Sequence, residues 1–204
     1  MLMSDEVIIV GAGGHGKVLA DIVLQCGGTV RGFLDDDVQK THCMEFPILG
    51  TIDRWPEYAG QARFLLAIGS NAVRETLAQA MQVAWYTAIH PSASIARQAS
   101  IGEGTVVMAG AVINPCAQIG RHCIVNSAVV IEHDNNLEDY VHVSPHATLC
   151  GTVAVGRRTH IGAGATIKNN VSICADVTVG AGALVLHDIE TPGTYVGVPV
   201  RRLP

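Results

Sequence analysis

From Ile95 to Val185 an aliphatic residue stands at every sixth position: Ile95, Ile101, Val107, Ile113, Ile119, Val125, Ile131, Leu137, Val143, Leu149, Val155, Ile161, Ile167, Ile173, Val179 and Val185. A period of six fits neither an α-helix nor a coiled-coil heptad, whereas alternation within a strand gives a period of two. Each hexapeptide is therefore a short strand plus a turn. Three such units close one coil of about eighteen residues, and coils stack at the inter-strand spacing of ~4.8 Å, with the anchors forming three interior ladders. The residue four after each anchor is usually small or β-branched (Ala99, Thr105, Ala111, Ala117, Cys123, Val129), and the one directly after is often glycine (Gly102, Gly120, Gly156, Gly162, Gly180). The expected architecture is a triangular parallel β-helix with no inserted loop. Composition agrees: 49% of residues are hydrophobic but only 4% aromatic, so the core is built from small and branched aliphatics that suit stacked strands.

Upstream the pattern alternates strand and helix. VIIV (Val7 to Val10) reads as a strand, KVLADIVLQCGG as a helix stopping at Gly27-Gly28, and TVRGFLDD as a second strand. FLLAI (Phe64 to Ile68) makes a third, and a second helix runs over Ala72 to Met81 after Gly69-Ser70-Asn71. This predicts a small parallel-sheet, Rossmann-like βαβαβ domain over 1–88, followed by the β-helix over 89–204. GAGGHG, Gly11 to Gly16, matches GxGxxG between strand and helix, with Asp35, Asp36 and Asp37 near the end of the next strand. Glycines let the backbone approach a phosphate, the helix N-terminus stabilises its charge, and a downstream acid accepts bonds from ribose or base. The unit is short for a full dinucleotide domain, so a mononucleotide diphosphate ranks above NAD. The alternative is that the glycines only permit tight strand-helix packing. His15 adds a donor for a phosphate or sugar, or merely fills the helix entrance.

A formal charge of -5 gives no general field for nucleic acid or an anionic membrane. Acidic Asp5 and Glu6 before a short apolar run argue against a secretory signal, and no apolar stretch is long enough to span a bilayer. A cytoplasmic protein is expected. Six cysteines without a CxxC pair argue against a disulfide framework, and no metal is expected.

The repeat is interrupted chemically by VVIEHDNNL, Val129 to Leu137, with five polar residues from Glu132 to Asn136. In register, Ile131 and Leu137 keep their interior places and Asn135 takes the small inward position, where no other hexapeptide has an amide. His133 and Asp134 then fall at or near a turn.

The unbroken [LIV]-G-x-x-small-x repeat and the terminal GVPVRR (Gly197 to Arg202) resemble the hexapeptide acyltransferases. That resemblance implies left-handed β-helices, homotrimers and acyl-CoA bound between subunits. GAGGHG, FLDDD, AIGSNAVR (Ala67 to Arg74) and IHPSA (Ile89 to Ala93) resemble one subgroup over nearly the whole chain: nucleotide-aminosugar N-acetyltransferases of bacillosamine and perosamine type, with the related sialic acid O-acetyltransferases. The resemblance places the nucleotide of a UDP- or GDP-linked sugar on Gly13, His15, Gly16, Asp35, Asp36, Gly69 and Asn71, with base contacts varying at Asp37 and Val38. The subgroup's IEH[ED] element makes His133 a general base oriented by Asp134, with Glu132 as competitor. It also implies Asn126 near the sugar, His142 near the acetyl group, the Gly151 N–H on the thioester oxygen, and acetyl-CoA along Gly162, Ala163 and Gly180.

The expected activity is acetyl transfer from acetyl-CoA to an amine, at C4, of a nucleotide-linked deoxy-aminosugar for bacterial glycan biosynthesis. A histidine with an ordinary pKa of about 6.5 suits proton removal from the attacking nitrogen. O-acetylation of sialic acid or another sugar is the alternative. Two further readings are a zinc carbonic anhydrase-like β-helix using His122, His142 and His146, and a non-catalytic sugar-nucleotide binder. His133 could also be a solvated corner residue, and His142 and His160 a surface ladder.

Overall fold

The computed structural model describes residues 6–204; Asp5, which bore on the question of a leader, lies outside them. The chain forms two compact units, one ending at Pro91 and one beginning at Ser92.

In the first unit β1 (Glu6–Val10), α1 (Gly14–Gln25), β2 (Thr29–Leu34), β3 (His42–Cys43), β4 (Phe46–Gly50), β5 (Arg63–Leu66) and α2 (Asn71–Ala80) follow in order. The sheet order is β3-β4-β2-β1-β5. β1 pairs in parallel with β2 and β5, β4 is parallel to β2, and β3 is antiparallel to β4. As the central strand, β1 is buried on both faces from Val7 to Val10, which is why it is a continuous apolar run rather than an alternation. α1 begins at Gly14, earlier than the apolar periodicity indicates, because the glycine loop itself supplies the first turn. β5 ends at Leu66, and Ser70 caps α2 by accepting from Val73 N–H at 3.4 Å. The β3-β4 hairpin and a 3-10 helix over Ile52–Tyr58 were not expected. The 3-10 helix packs Ile52, Trp55 and Tyr58 on the core around Leu34, Phe64 and Trp85, and β4 adds Leu49 to the same core.

In the second unit each hexapeptide contributes a short strand to one of three parallel sheets. The first face carries Ser94–Ile95, Val112–Ile113, Val130–Ile131, Thr148–Leu149, Thr166–Ile167 and Leu184–Val185. The second carries Ser100–Ile101 to Ser172–Ile173, and the third Val106–Val107 to Val177–Val179, extended by Gly193–Val196 and Arg201–Arg202. Among the hexapeptide strands up to Val185 the register is eighteen, as in Val112↔Val130↔Thr148, and it drops to sixteen where Val177–Val179 pairs with Gly193–Val196. The fold is a left-handed parallel β-helix. At its edges the third residue after the anchor adopts positive φ even where it is not glycine, as at Cys116, His122, Ala128, Asp134 and Tyr140. The glycines after the anchors answer a different need. A Cβ at Gly102, Gly120, Gly156 or Gly162 would lie 2.4 to 2.7 Å from backbone of the next coil.

Candidate active site

The polar run occupies the edge where the first face turns into the second. Ile131 and Leu137 hold its ends in the core. His133 Nδ1 lies 2.7 Å from Asp134 Oδ2, both side chains reaching solvent. With the carboxylate accepting from Nδ1–H, Nε2 is left as the proton-accepting nitrogen. Glu132 is engaged elsewhere: its Oε2 accepts from Asn114 Nδ2 at 2.9 Å, one coil back.

One coil further on, Gly151 lies against the His133 ring. A Cβ at Gly151 would fall 2.6 Å from the ring's Cε1 and Nε2, so glycine is what lets the imidazole lie there. Its carbonyl accepts from Asn170 N–H at 3.1 Å, and Thr152 N–H donates to His133 O at 2.9 Å. Among the described residues the Gly151 N–H has no hydrogen-bond partner. Asn135 is buried inward beneath this turn. Its Nδ2 donates to Glu132 O at 2.7 Å and Cys150 O at 3.0 Å, with His133 O at 3.4 Å. Its Oδ1 has no partner among the described residues, which costs on the order of 1–3 kcal/mol.

A second group sits on the edge where the third face turns into the first. Asn126 Oδ1 accepts from Ser127 N–H at 2.8 Å, and its Nδ2 lies 3.4 Å from His142 Nε2. The His142 ring stacks on His160 at 4.6 Å, and His160 Nε2 lies 2.7 Å from Ser144 Oγ. Gly162, Ala163 and Gly180 continue this edge. Within one chain the structure therefore does not bring Asn126 and His142 to His133 and Gly151. The first face separates them, with Val112, Val130, Thr148, Thr166 and Leu184 pointing outward and half-buried.

In the first unit Gly16 is required by packing, because a Cβ there would lie 2.2 Å from Gly11 O. Gly13 and Gly69 would meet nothing within 4 Å. Gly13 caps α1 and leaves open surface at the helix N-terminus. His15 Nε2 is sealed without a partner among the described residues. Burial first, then the Arg74 guanidinium, lowers this imidazole to about 4, so it is neutral at pH 7.

Asp35 Oδ2 accepts from Ala12 N–H at 2.6 Å, and its Oδ1 from Asp37 N–H at 2.9 Å and Lys40 Nζ at 3.1 Å. Burial works against the charge, but these bonds hold the carboxyl below its usual value. Asp36 Oδ1 accepts from Ile52 N–H at 2.9 Å. Both acids thus shape the glycine loop and its neighbour from within. A cavity of about 300 Å³ opens beside them, lined by Asp37, Lys40, Ile48 and Thr51 among others.

Sequence reasoning did not single out Arg74. Fully buried, it donates to Ile68 O at 2.9 Å and Asn71 Oδ1 at 2.8 Å, so Asn71 is turned toward the loop it helps to form. The i, i+3 spacing of Asn71 and Arg74 at the start of α2 was the available signal.

Among the described residues no three His, Cys, Asp or Glu side chains are grouped to hold a metal. His122, a paper candidate for zinc, stacks on Tyr140 at 5.5 Å. All six cysteines are free, and no helix among the described residues is long and apolar enough to cross a membrane.

Comparison with known proteins bears on this geometry. Residues 6–81 match the model of the PglD N-terminal domain, and residues 98–133 match the bacterial transferase hexapeptide model. The chain is 41% identical over 111 residues to UDP-N-acetylbacillosamine N-acetyltransferase of Bacillus subtilis, a match covering 51% of each protein, so it spans about half of that curated relative. The acetyltransferase domain of PglB from Neisseria gonorrhoeae, solved with acetyl coenzyme A, is 33% identical with a TM-score of 0.94, over 98% of this chain and 100% of that one. A histidine-to-asparagine mutant of perosamine N-acetyltransferase from Caulobacter crescentus, in complex with CoA and GDP-perosamine, is 34% identical with a TM-score of 0.93, over 100% of this chain and 98% of that one. Both units are matched, and so is the order in which they follow. The chain belongs to the PglD-like family of hexapeptide-repeat sugar acetyltransferases.

Proposed function

We propose that the protein transfers the acetyl group of acetyl-CoA to an amine, at C4, of a nucleotide-linked deoxy-aminosugar in bacterial glycan biosynthesis. The observation that carries this reading is the His133–Asp134 pair lying over Gly151, whose N–H is open. The relatives solved with acetyl-CoA, or with CoA and GDP-perosamine, support the donor and the acceptor class.

The sugar amine attacks the thioester carbonyl while His133 Nε2 takes its proton, a task worth roughly 10²–10⁴ in rate. Asp134 holds the Nδ1–H tautomer and stabilises the imidazolium. The oxyanion accepts the Gly151 N–H, a contact of the kind whose loss costs about 10²–10³. Collapse breaks the C–S bond, and the thiolate recovers the proton from His133. No cysteine takes part and no covalent intermediate forms.

In the first unit Gly13 and the N-terminus of α1 receive the diphosphate, with neutral His15 as a donor and Gly16, Asp35, Asp36, Gly69 and Asn71 shaping the loops around it. In the second, Asn126 and His142 face the sugar and acetyl group, and Gly162, Ala163 and Gly180 line CoA. These residues lie on a different edge from His133, which favours a homotrimer with first faces turned to the three-fold axis. The edge of one copy carrying His133 and Gly151 then meets the edge of the next carrying Asn126 and His142.

The test is release of free CoA thiol from acetyl-CoA with UDP-, GDP- and dTDP-linked 4-aminosugars and free sialic acid as acceptors. Release with a nucleotide 4-aminosugar is expected. Release with sialic acid alone would replace N- by O-acetylation, and release with neither would sink the reading.

A further inference from the structure

We infer that Asn135 is a positioning residue: its buried amide fixes the two peptide groups that carry His133 and the Gly151 N–H, and so sets the base and the oxyanion donor against each other. The inference rests on the reading of His133 and Gly151 given above.

The two carbonyls that Asn135 Nδ2 binds most closely belong to Glu132 and Cys150. Glu132 immediately precedes His133 and Cys150 immediately precedes Gly151. In a trans peptide the carbonyl and the following N–H belong to one rigid plane and point in opposite directions. Pinning Cys150 O inward therefore aims the Gly151 N–H outward, to the surface beside the imidazole. Pinning Glu132 O to the same nitrogen holds the peptide that leads into His133. One side chain thus spans two successive coils at the point where both reacting groups must be in register.

The scaffold does not need an amide here. On the same edge the inward position is filled by Ala99, Ala117, Val153 and Val171 on neighbouring coils, without polar atoms. Where the fold uses a polar inward residue for stacking, it uses a hydroxyl on another edge. Thr105 Oγ1 donates to Gly120 O at 2.8 Å and Thr159 Oγ1 to Cys174 O at 2.9 Å, each tying one coil to the next. Asn135 makes the equivalent bond to Cys150 O and adds the bond to its own turn. It does so with Oδ1 buried and unpartnered among the described residues, an arrangement that apolar packing would avoid.

Asn135→Thr separates the two roles, because a threonine at this position keeps a coil-to-coil donor but cannot also reach Glu132 O. The experiment compares wild type, Asn135→Thr, Asn135→Ala and His133→Ala as full chains, by melting temperature and by kcat and KM for acetyl-CoA and for the preferred acceptor. For Asn135→Thr a melting temperature within a few degrees of wild type is expected, with kcat lowered at least tenfold and both KM values within about twofold. In the His133→Ala background the same substitution should lose much less, because the residue acts through the base and its partner. Wild-type kcat in Asn135→Thr, or a loss that tracks melting temperature or KM across the Thr and Ala variants, would overturn the inference while leaving the base assignment standing. Unchanged turnover in His133→Ala would overturn both.

Discussion

His133 and Asp134 are neighbours in sequence, yet adjacency alone does not make them a pair, since Glu132 is equally close. What decides is the turn: Asp134 takes φ of 59° at the edge, and its carboxylate swings back to His133 Nδ1. Glu132 meets Asn114 instead. His133→Ala should lower kcat by roughly 10²–10⁴ with little change in melting temperature, because the side chain is exposed. Glu132→Gln should leave kcat within a few-fold, in contrast to Asp134→Asn, which disturbs the tautomer. Equal losses from both would reverse the assignment. At His15 the folded value of about 4 lies below the unfolded value of about 6.5. Between these the unfolded chain binds a proton that the folded one does not, so stability falls as pH drops from about 6.5 to about 4. His15→Gln should flatten that part of the melting temperature against pH curve, and parallel curves would show that His15 is not held neutral. That Asn114 stacks on Glu132 follows from the eighteen-residue repeat, but that their side chains bond, leaving His133 to Asp134, does not. Arg74 offered only its i, i+3 spacing to Asn71, which does not tell that the guanidinium is buried beneath the loop.

The glycines of the loop and of the β-helix edges look alike in sequence but do different things. A Cβ added at Gly16 would fall 2.2 Å from Gly11 O, so Gly16→Ala should destabilise by about 1–3 kcal/mol. Gly13 faces open space, and Gly13→Ala should fold and melt nearly as wild type but raise KM for the sugar nucleotide. Gly151→Ala should fold, since the atoms in its way are the far end of a solvent-reaching histidine, and lose activity about as severely as His133→Ala. Calorimetry and steady-state kinetics on the three variants separate these outcomes. The left-handed turn residues are the element-scale feature that pattern reading missed. At Cys116, Tyr140 and Asp176, for example, no glycine announces the positive φ. Closure of the triangular coil imposes it, and bonds to the coil before, such as Tyr140 N–H to Arg121 O at 2.9 Å, hold it in place.

At the scale of the whole molecule, the separation of the two groups of site residues by the first face makes a prediction that needs no new structure. When His133→Ala and Asn126→Ala chains are mixed as subunits, each junction between copies has about one chance in four of receiving both intact edges. Activity near a quarter of wild type should appear in the mixture although each parent is weak, and light scattering should give a trimer. Activity no greater than the mean of the parents would confine the site to one chain. The solenoid, its register and the placing of a polar turn at its edge were determined by sequence alone. They follow from a uniform period in which each residue's fate depends on its own hexapeptide and the one eighteen positions away. Only the tertiary structure decided which carboxylate meets His133, that Asp35 and Asp36 are bound to the backbone of their own loops, and that Asn135 grips the carbonyls ahead of both His133 and Gly151. Those outcomes turn on rotamers and on contacts of about 3 Å between segments, and a linear pattern sets the neighbours without setting the direction in which their side chains point.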